Sequence, residues 1–439
     1  MTPEDLDALG DELELFLEEM TYGMGRLERR TALQNYLRGL LLDGERKSIE
    51  PIAFRLADEG MGEAIRQRLQ QAVVVAKWDE GELFRRILIR VGNELPGIEA
   101  FVIDDTGVPK KGRHSPGVAR QYSGTLGRVD NCQVLTSLHL ASENGGACVG
   151  MQLYLPKEWT DKPERMAKAG IPDDVVFQTK GQIALSLLDK ALAANVGRWP
   201  VVADAGFGDS SAFRDAIVAR GLKYVVGINK TPTVWGPGSN PKPPPKHDGK
   251  PGRPKTKWTG DAKPVSVGEL AASLPDSAWK KVTWKTGSRG PQSGYFARVR
   301  VQTAHGHSKG KPPGDEVWLL CEKTQRKKQP TTFYLSNTSP STSMRKLVRL
   351  AKIRWRIERD YQEMKSELGL DHFEGRTWRG IHHHVALVAA AHAFLTLRRA
   401  LSPPGDDVPV VSPCASTRAA ANGGALPSLS TTNARQSSA

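Results

Sequence analysis

The sequence predicts a mixed α/β fold, and three observations carry that expectation. Between residues 97 and 228, short apolar runs alternate with amphipathic helical stretches. Two of those runs end in carboxylates, at Asp104-Asp105 and at Asp204. The flanking segments differ in kind, helical before residue 92 and strand-rich from 265 to 337. A chain of 439 residues is long enough for two or three folding units.

Residues 1–92 read as a helical N-terminal domain. Leu6, Leu9, Leu13, Leu15, Phe16 and Met20 recur at roughly helical spacing, and no strand alternation competes. Glu4 to Glu19 form a solvated acidic face, and Arg26, Arg29, Arg30 and Arg38 follow on a second helical stretch. Those arginines suit either a DNA end or plain solubility. Strands are then expected at 98–105, 132–140 and 148–155, the last two closing a hairpin about the Ser-Glu-Asn-Gly-Gly turn at 142–146. Helix 182–194, strand 198–204, helix 210–220 and strand 223–228 complete the series. That order suits a ribonuclease-H-like core beginning at 93–228.

Residues 229–340 divide into a basic linker and a β-rich insertion. The linker, to about 264, holds eight Lys or Arg and Pro243-Pro244-Pro245, and is expected to be extended and to bury no core. Within it, Lys250-Pro-Gly-Arg-Pro-Lys255 resembles a minor-groove-reading hook. KKVTW (280–284), GYFARVRVQT (294–303), EVWLLCE (316–322) and TTFYLS (331–336) are strand-like. Residues 341–402 return to helix, over 343–370 and again over 382–401, and complete the core. The Ser/Ala/Pro/Thr-rich tail at 403–439 is expected to be disordered.

Charge narrows the partners. Sixty-two Lys and Arg against 48 Asp and Glu leave +14, which favours a polyanion, most simply nucleic acid, with an anionic membrane surface as the other choice. Cys132, Cys148, Cys321 and Cys414 lie far apart without a C-x-x-C, which argues against a disulfide framework or zinc knuckle. The start is acidic where a signal peptide is basic. The apolar run 385–397, interrupted by His392 and Thr396, is too short to span a bilayer. The expectation is a soluble, cytoplasmic, nucleoid-associated protein with no membrane partner.

Three carboxylates stand out by context. Asp105 and Asp204 each end an apolar strand and precede small residues, so each can point into a shared cleft. Glu358 lies in a helix on which Arg354, Glu358, Tyr361 and Lys365 share one narrow face. Two Mg²⁺ ions roughly 3.5–4 Å apart, one activating the attacking water or 3′-hydroxyl and one stabilising the leaving oxygen, need such hard oxygen ligands. Arg354 and Lys365 would hold the polyanion. Spacing alone leaves helix capping and surface ion pairing open, because 48 acidic residues offer many triples.

The blocks FVIDDTGVPKKGRHSPGVARQYSGTLGRVDNCQ (101–133), LYLPKEWTDKPERMAKAGIP (153–172), VVADAGFGDS (201–210) and IRWRIERDYQEMKSELGLDHFEGRTWRGIHHH (353–384) resemble a DDE transposase of the IS701 group, related to the IS4 family of bacterial insertion sequences. The resemblance runs over about residues 10–400. It implies a ribonuclease-H-like catalytic core, a β-rich insertion before the final catalytic helix, and Mg²⁺-dependent strand cleavage and transfer at inverted terminal repeats. Mn²⁺ would be able to substitute, and a homodimer would act on double-stranded DNA. Carried over by motif, the catalytic and metal-binding triad is Asp105, Asp204 and Glu358. The IS4-type signature of Tyr, two residues, Arg, three residues, Glu, six residues, Lys is kept at Arg354, Glu358 and Lys365, with Ala351 where the tyrosine is expected. Asp104 competes for the first position. Asp105 is preferred because the motif aspartate directly precedes the threonine, and because strand alternation sets it opposite Asp104, so one of the pair faces the metals.

Lys110, Lys111, Arg120, Tyr122 and Arg128 sit in what reads as a Gly-rich basic loop after the first strand, suited to backbone contact with Tyr122 stacking on a base. His382-His383-His384 point about 100° apart on a helix and cannot share one ion, so DNA contact or packing is expected of them. Trp279, Trp284 and Trp318 suit core packing better than stacking on an extruded base. Two alternatives accompany the transposase reading: an inactive relative that binds DNA without cutting, and a nuclease of the same core without strand transfer.

Overall fold

The computed structural model describes residues 3–123, 127–245, 255–287, 290–324 and 329–401. The expected disordered tail and most of the Lys250–Lys255 hook lie outside the described residues. Helices α1 (Pro3–Thr21), α2 (Leu27–Leu41), α3 (Ile49–Leu56), α4 (Gly62–Gln70) and α5 (Glu80–Glu94) come first, with a π-helical turn at Gln71–Val75. Asp79 starts α5 by accepting from the Gly81 and Glu82 amides, as an N-cap should. Phe16, Leu17 and Met20 of α1, and Leu83, Ile87 and Val91 of α5, form buried stripes at helical spacing.

The sheet begins with β1 (Ile98–Pro109), β2 (Ala119–Ser123), β3 (Arg128–Ser142) and β4 (Gly146–Leu153). Short helices α6 (Lys157–Thr160) and α7 (Pro163–Lys168) lead to α8 (Lys180–Ala193), β5 (Val201–Ala203), α9 (Ala205–Gly208), α10 (Ser211–Ala219) and β6 (Tyr224–Ile228). β4 pairs antiparallel with β3 and β3 with β1, while β1, β5 and β6 run parallel. Residues 119–123, expected in a loop, form β2 instead, paired antiparallel with β3.

The insertion does not stand apart. β7 (Thr233–Trp235), β8 (Val265–Ser266), α11 (Val267–Ala272), β9 (Lys280–Gly287), β10 (Gly290–Thr303), β11 (Glu316–Lys323) and β12 (Thr332–Ser336) follow. β12 pairs antiparallel with β6, so the insertion strands continue the same sheet to twelve strands among the described residues. The expectation that residues 229–264 bury no core is corrected at β7, where Val234 and Trp235 are buried and the strand pairs with β10. Two apolar side chains were enough to draw the edge of a basic segment into the sheet.

The last helices are α12 (Met344–Ile353), α13 (Trp355–Ser366) and α14 (Trp378–Leu401). The single helix expected over 343–370 is thus broken at Arg354, where a tighter Arg354 O to Ile357 N bond bridges the junction. α14 is apolar on nearly every side, and it is buried between β4 and helices α1, α2, α5 and α13. At 24 residues it is longer than the apolar run suggested, and by length and composition it could cross a membrane; here almost all of it lies inside the fold. One apolar core extends from Phe16 to Leu397, without a break at residue 92.

The histidine triplet is part of that core rather than a DNA contact, since all three side chains are buried. His382 Nε2 accepts from the Leu153 amide, and its Nδ1 donates to Trp378 O at 2.9 Å. His383 stacks on Trp78 at 3.8 Å and bonds Val73 O, in the π-helical turn. His384 Nε2 faces Gly369 O, which assigns the hydrogen to that nitrogen and leaves Nδ1 to accept from the Tyr36 hydroxyl at 2.9 Å. The triplet clasps the N-terminal helices to α14.

Burial pushes His382 down to about 4 and His384 to about 3. The unfolded chain takes up protons below about pH 6.5 while these folded imidazoles stay neutral, so their contribution is complete above that pH and is lost on acidification. His384→Gln keeps a donor and an acceptor but cannot titrate. Its unfolding free energy is expected to fall less than the wild type's between pH 6.5 and 5, by about 1.4 kcal/mol for each pH unit. Parallel curves from urea titrations at the two pH values would contradict this.

Candidate active site

β1 delivers two adjacent carboxylates to opposite faces of the sheet. Asp104 pairs in register with Ser137 of β3, and α13 covers that face: the Tyr361 hydroxyl lies 2.6 Å from Ser137 Oγ. Two residues further along β3, His139 Nδ1 meets Asp360 at 2.7 Å. Asp105 is on the other side, where its Oδ2 accepts from Lys180 Nζ at 2.7 Å, at the first turn of α8. The two carboxylates therefore diverge, as strand alternation expects. Asp104, not Asp105, shares a face with the helix that carries Glu358.

Arg354 gathers the cluster. Its Nη1 donates to Asp104 Oδ2 at 2.8 Å and its Nη2 to Glu358 Oε1 at 2.6 Å. Asp204 is near enough for its charge to act on both Asp104 and Arg354. It follows β5 and caps α9, its Oδ1 accepting from the Gly206 amide at 2.9 Å and from Phe207. Gly208 makes that placement possible, because a Cβ there would lie 1.9 Å from Gly227 O on β6. Asp104 is the inner member and Glu358 the rim, with side chains 14% and 62% exposed.

Burial, with Asp204 and Asp105 close by, pushes the Asp104 carboxyl up to about 7 against the opposing pull of Arg354. Among the described residues, no group of three or more His, Cys, Asp and Glu side chains is gathered closely enough to hold a metal ion. Arg354 lies between them. The donor chemistry nevertheless fits a hard divalent cation: the candidate atoms are carboxylate oxygens, and their crowded negative charge is what a dication offsets.

The expected face of α13 is present. Arg354 and Glu358 meet as described, Tyr361 reaches β3, and Lys365 Nζ donates to Gly107 O at 2.9 Å. Lys110 turns inward, its Nζ bonded to Phe373 O, and burial pushes its ammonium pKa down. Lys111, Arg120, Tyr122 and Arg128 are exposed, the last three on the β2–β3 hairpin, with Arg128 also paired to Asp130. Ala351, where the motif tyrosine was expected, is buried in the core. Sequence reading missed Lys180 and also Tyr334 of β12, which lies near enough to Arg354 for the guanidinium to act on its phenol. Their neighbours are remote in the chain, so no local signal marked either residue.

The model of the DDE superfamily endonuclease family matches residues 19–291, a span that holds Asp104, Asp105 and Asp204. Among curated proteins, the chain is similar to the probable transposase for insertion sequence element IS701 of Microchaete diplosiphon, at 30% identity over 192 residues. That alignment covers 43% of this chain and 46% of the relative, less than half the length of each. Among solved structures, it is similar to the piggyBac transposase synaptic complex with hairpin DNA, with 9% identity, a TM-score of 0.44, and coverage of 87% of this chain and 68% of that one.

Glu358 lies on α13, beyond the matched span, and its position depends on how that helix is held. The Asp360–His139 pair is buried, with side chains 4% and 0% exposed. Asp360→Ala would leave the imbedded imidazole without its partner and is expected to cost about 3 kcal/mol, read from urea unfolding. A loss below about 1 kcal/mol would show that the pair does not anchor α13.

Proposed function

Because the chain belongs to the DDE superfamily endonuclease family, we propose that it is a DNA transposase that cleaves the ends of a mobile element and joins the freed 3′-hydroxyl to target DNA. The observation that carries this reading is the meeting of Asp104, Asp204 and Glu358, from three separate elements, around Arg354. We assign the catalytic set as Asp104, Asp204 and Glu358, with Asp105 as the orienting partner of Lys180. The ribonuclease-H-like reading of the core is supported by the strand order β4-β3-β1-β5-β6, antiparallel up to β1 and parallel beyond it.

Two Mg²⁺ ions held by these carboxylates, with Mn²⁺ able to replace them, would supply the charge stabilisation that phosphodiester cleavage and transfer require. The chain's own residues do the rest. Asp204, fixed by two amides, and Asp104, fixed on a buried strand, give the set a rigid inner wall. Glu358 at the rim is the member nearest to arriving DNA. Arg354 and Lys365 line the same helix face as cations for the phosphate backbone. Arg120, Tyr122 and Arg128 on the exposed hairpin, with Lys111, would extend that contact along the duplex. Double-stranded terminal repeats and target DNA are the proposed partners, and two copies of the chain would pair two element ends.

The test is Mg²⁺-dependent nicking of a labelled terminal-repeat duplex. Asp104→Asn and Glu358→Gln should each remove cleavage by orders of magnitude while duplex binding survives, because the cationic surface is untouched. Asp105→Asn, a neighbour of the cluster, is expected to retain activity within about a hundredfold of wild type. Greater loss in Asp105→Asn than in Asp104→Asn, with both folded, would reverse the assignment. Wild-type protein that binds but never cuts would favour the inactive binder.

A further inference from the structure

We infer that Arg354 is the resident counter-ion of the carboxylate cluster, and that DNA must draw it away before the cluster takes up a divalent cation. This rests on the reading of the cluster as a metal site and adds to it an order of events.

The hydrogen bonds show why Arg354 is the group that yields. Asp104 has both oxygens engaged: Oδ1 accepts from the Asp105 amide at 2.8 Å, and Oδ2 accepts from Arg354. Each oxygen keeps a second lone pair, but a cation shared between Asp104 and Glu358 would have to compete with the guanidinium that now bridges them. The amide belongs to β1, a strand held on both sides by β3 and β5, and cannot retreat. Asp204 has likewise committed Oδ1 to the backbone of α9. Arg354 is a side chain at the break between α12 and α13, and is the only cation bonded to Asp104 among the described residues.

Leaving is unfavourable without a new anion. If Arg354 turned outward in DNA-free protein, two charge-assisted bonds would be lost and an unpaired guanidinium would stay beside the entering dication. A phosphate of DNA changes that balance, since guanidinium pairs with phosphate in the same two-pronged manner as with carboxylate. Glu358, which holds the other prong of Arg354, is on the exposed rim where a duplex would arrive. Metal and DNA would therefore each raise the affinity for the other, and by the same factor. In the cell this would keep the cleavage centre unassembled on a chain that is not on DNA.

The experiment is calorimetric titration of Mn²⁺ into the full chain, free and saturated with a terminal-repeat duplex, after subtraction of uptake by the duplex alone. For wild type, DNA is expected to tighten Mn²⁺ binding at least about tenfold. For Arg354→Gln, Mn²⁺ should bind tightly without DNA, and DNA should add less than about twofold. Arg354→Lys keeps the charge but loses the two-pronged geometry, and should fall between the two. It also serves if the glutamine variant fails to fold. Wild-type affinity equal with and without DNA would overturn the inference, as would coupling undiminished in both variants. Either result leaves the metal-site reading standing. Absence of Mn²⁺ binding in every sample would remove that reading and this inference together.

Discussion

Carboxylates crowded into a small volume repel one another, and burial makes the repulsion more costly because less water screens it. Asp104, Asp204 and Glu358 are brought together from a strand, a helix start and a helix face, and a guanidinium lies among them. Much of the architecture follows from keeping those four groups in register. β1 is central in the sheet, so Asp104 has a fixed backbone. Gly208 lets α9 approach β6 closely enough to fix Asp204. α13 is tied to β3 through Tyr361 and Asp360, which sets the height at which Glu358 and Arg354 face the strand end.

α14 supplies the support behind that arrangement. It carries three consecutive histidines into the core, each in its neutral form and each with hydrogen-bond partners from a different part of the chain. Both ring nitrogens of all three have partners, which offsets the cost of taking them out of water. The clasp joins the N-terminal helices to the catalytic sheet, so the region expected to form a separate unit shares its core with the rest.

Much of this was legible in the sequence. The strand that carries Asp104-Asp105, the one that ends just before Asp204, the hairpin between them, and the shared face of Arg354, Glu358, Tyr361 and Lys365 follow from periodicity, although β1 runs on past Asp105 to Pro109. The facing of the Asp104-Asp105 doublet was not legible. Alternation says that the two carboxylates diverge, but which one meets Glu358 depends on which side of the sheet α13 covers. That side is set by contacts such as Tyr361 with Ser137, more than two hundred residues apart in the chain. The same reason hid the pairing of β12 with β6 and the burial of Trp235. β2 was missed for a local reason, since its mostly polar residues show no alternation until β3 provides a partner.

The central claim is that Asp104, and not its neighbour, contributes a carboxylate oxygen to a cation shared with Asp204 and Glu358. Exchange of a hard oxygen ligand for a soft sulfur tests it most directly, because a thiolate disfavours Mg²⁺ and tolerates softer Mn²⁺. Cleavage of a terminal-repeat duplex should be compared in Mg²⁺ and in Mn²⁺ for Asp104→Cys and Asp105→Cys. The account predicts that Asp104→Cys is inactive in Mg²⁺ and recovers in Mn²⁺, while Asp105→Cys shows the wild-type ratio of the two rates. A switch of metal preference in Asp105→Cys alone would contradict it.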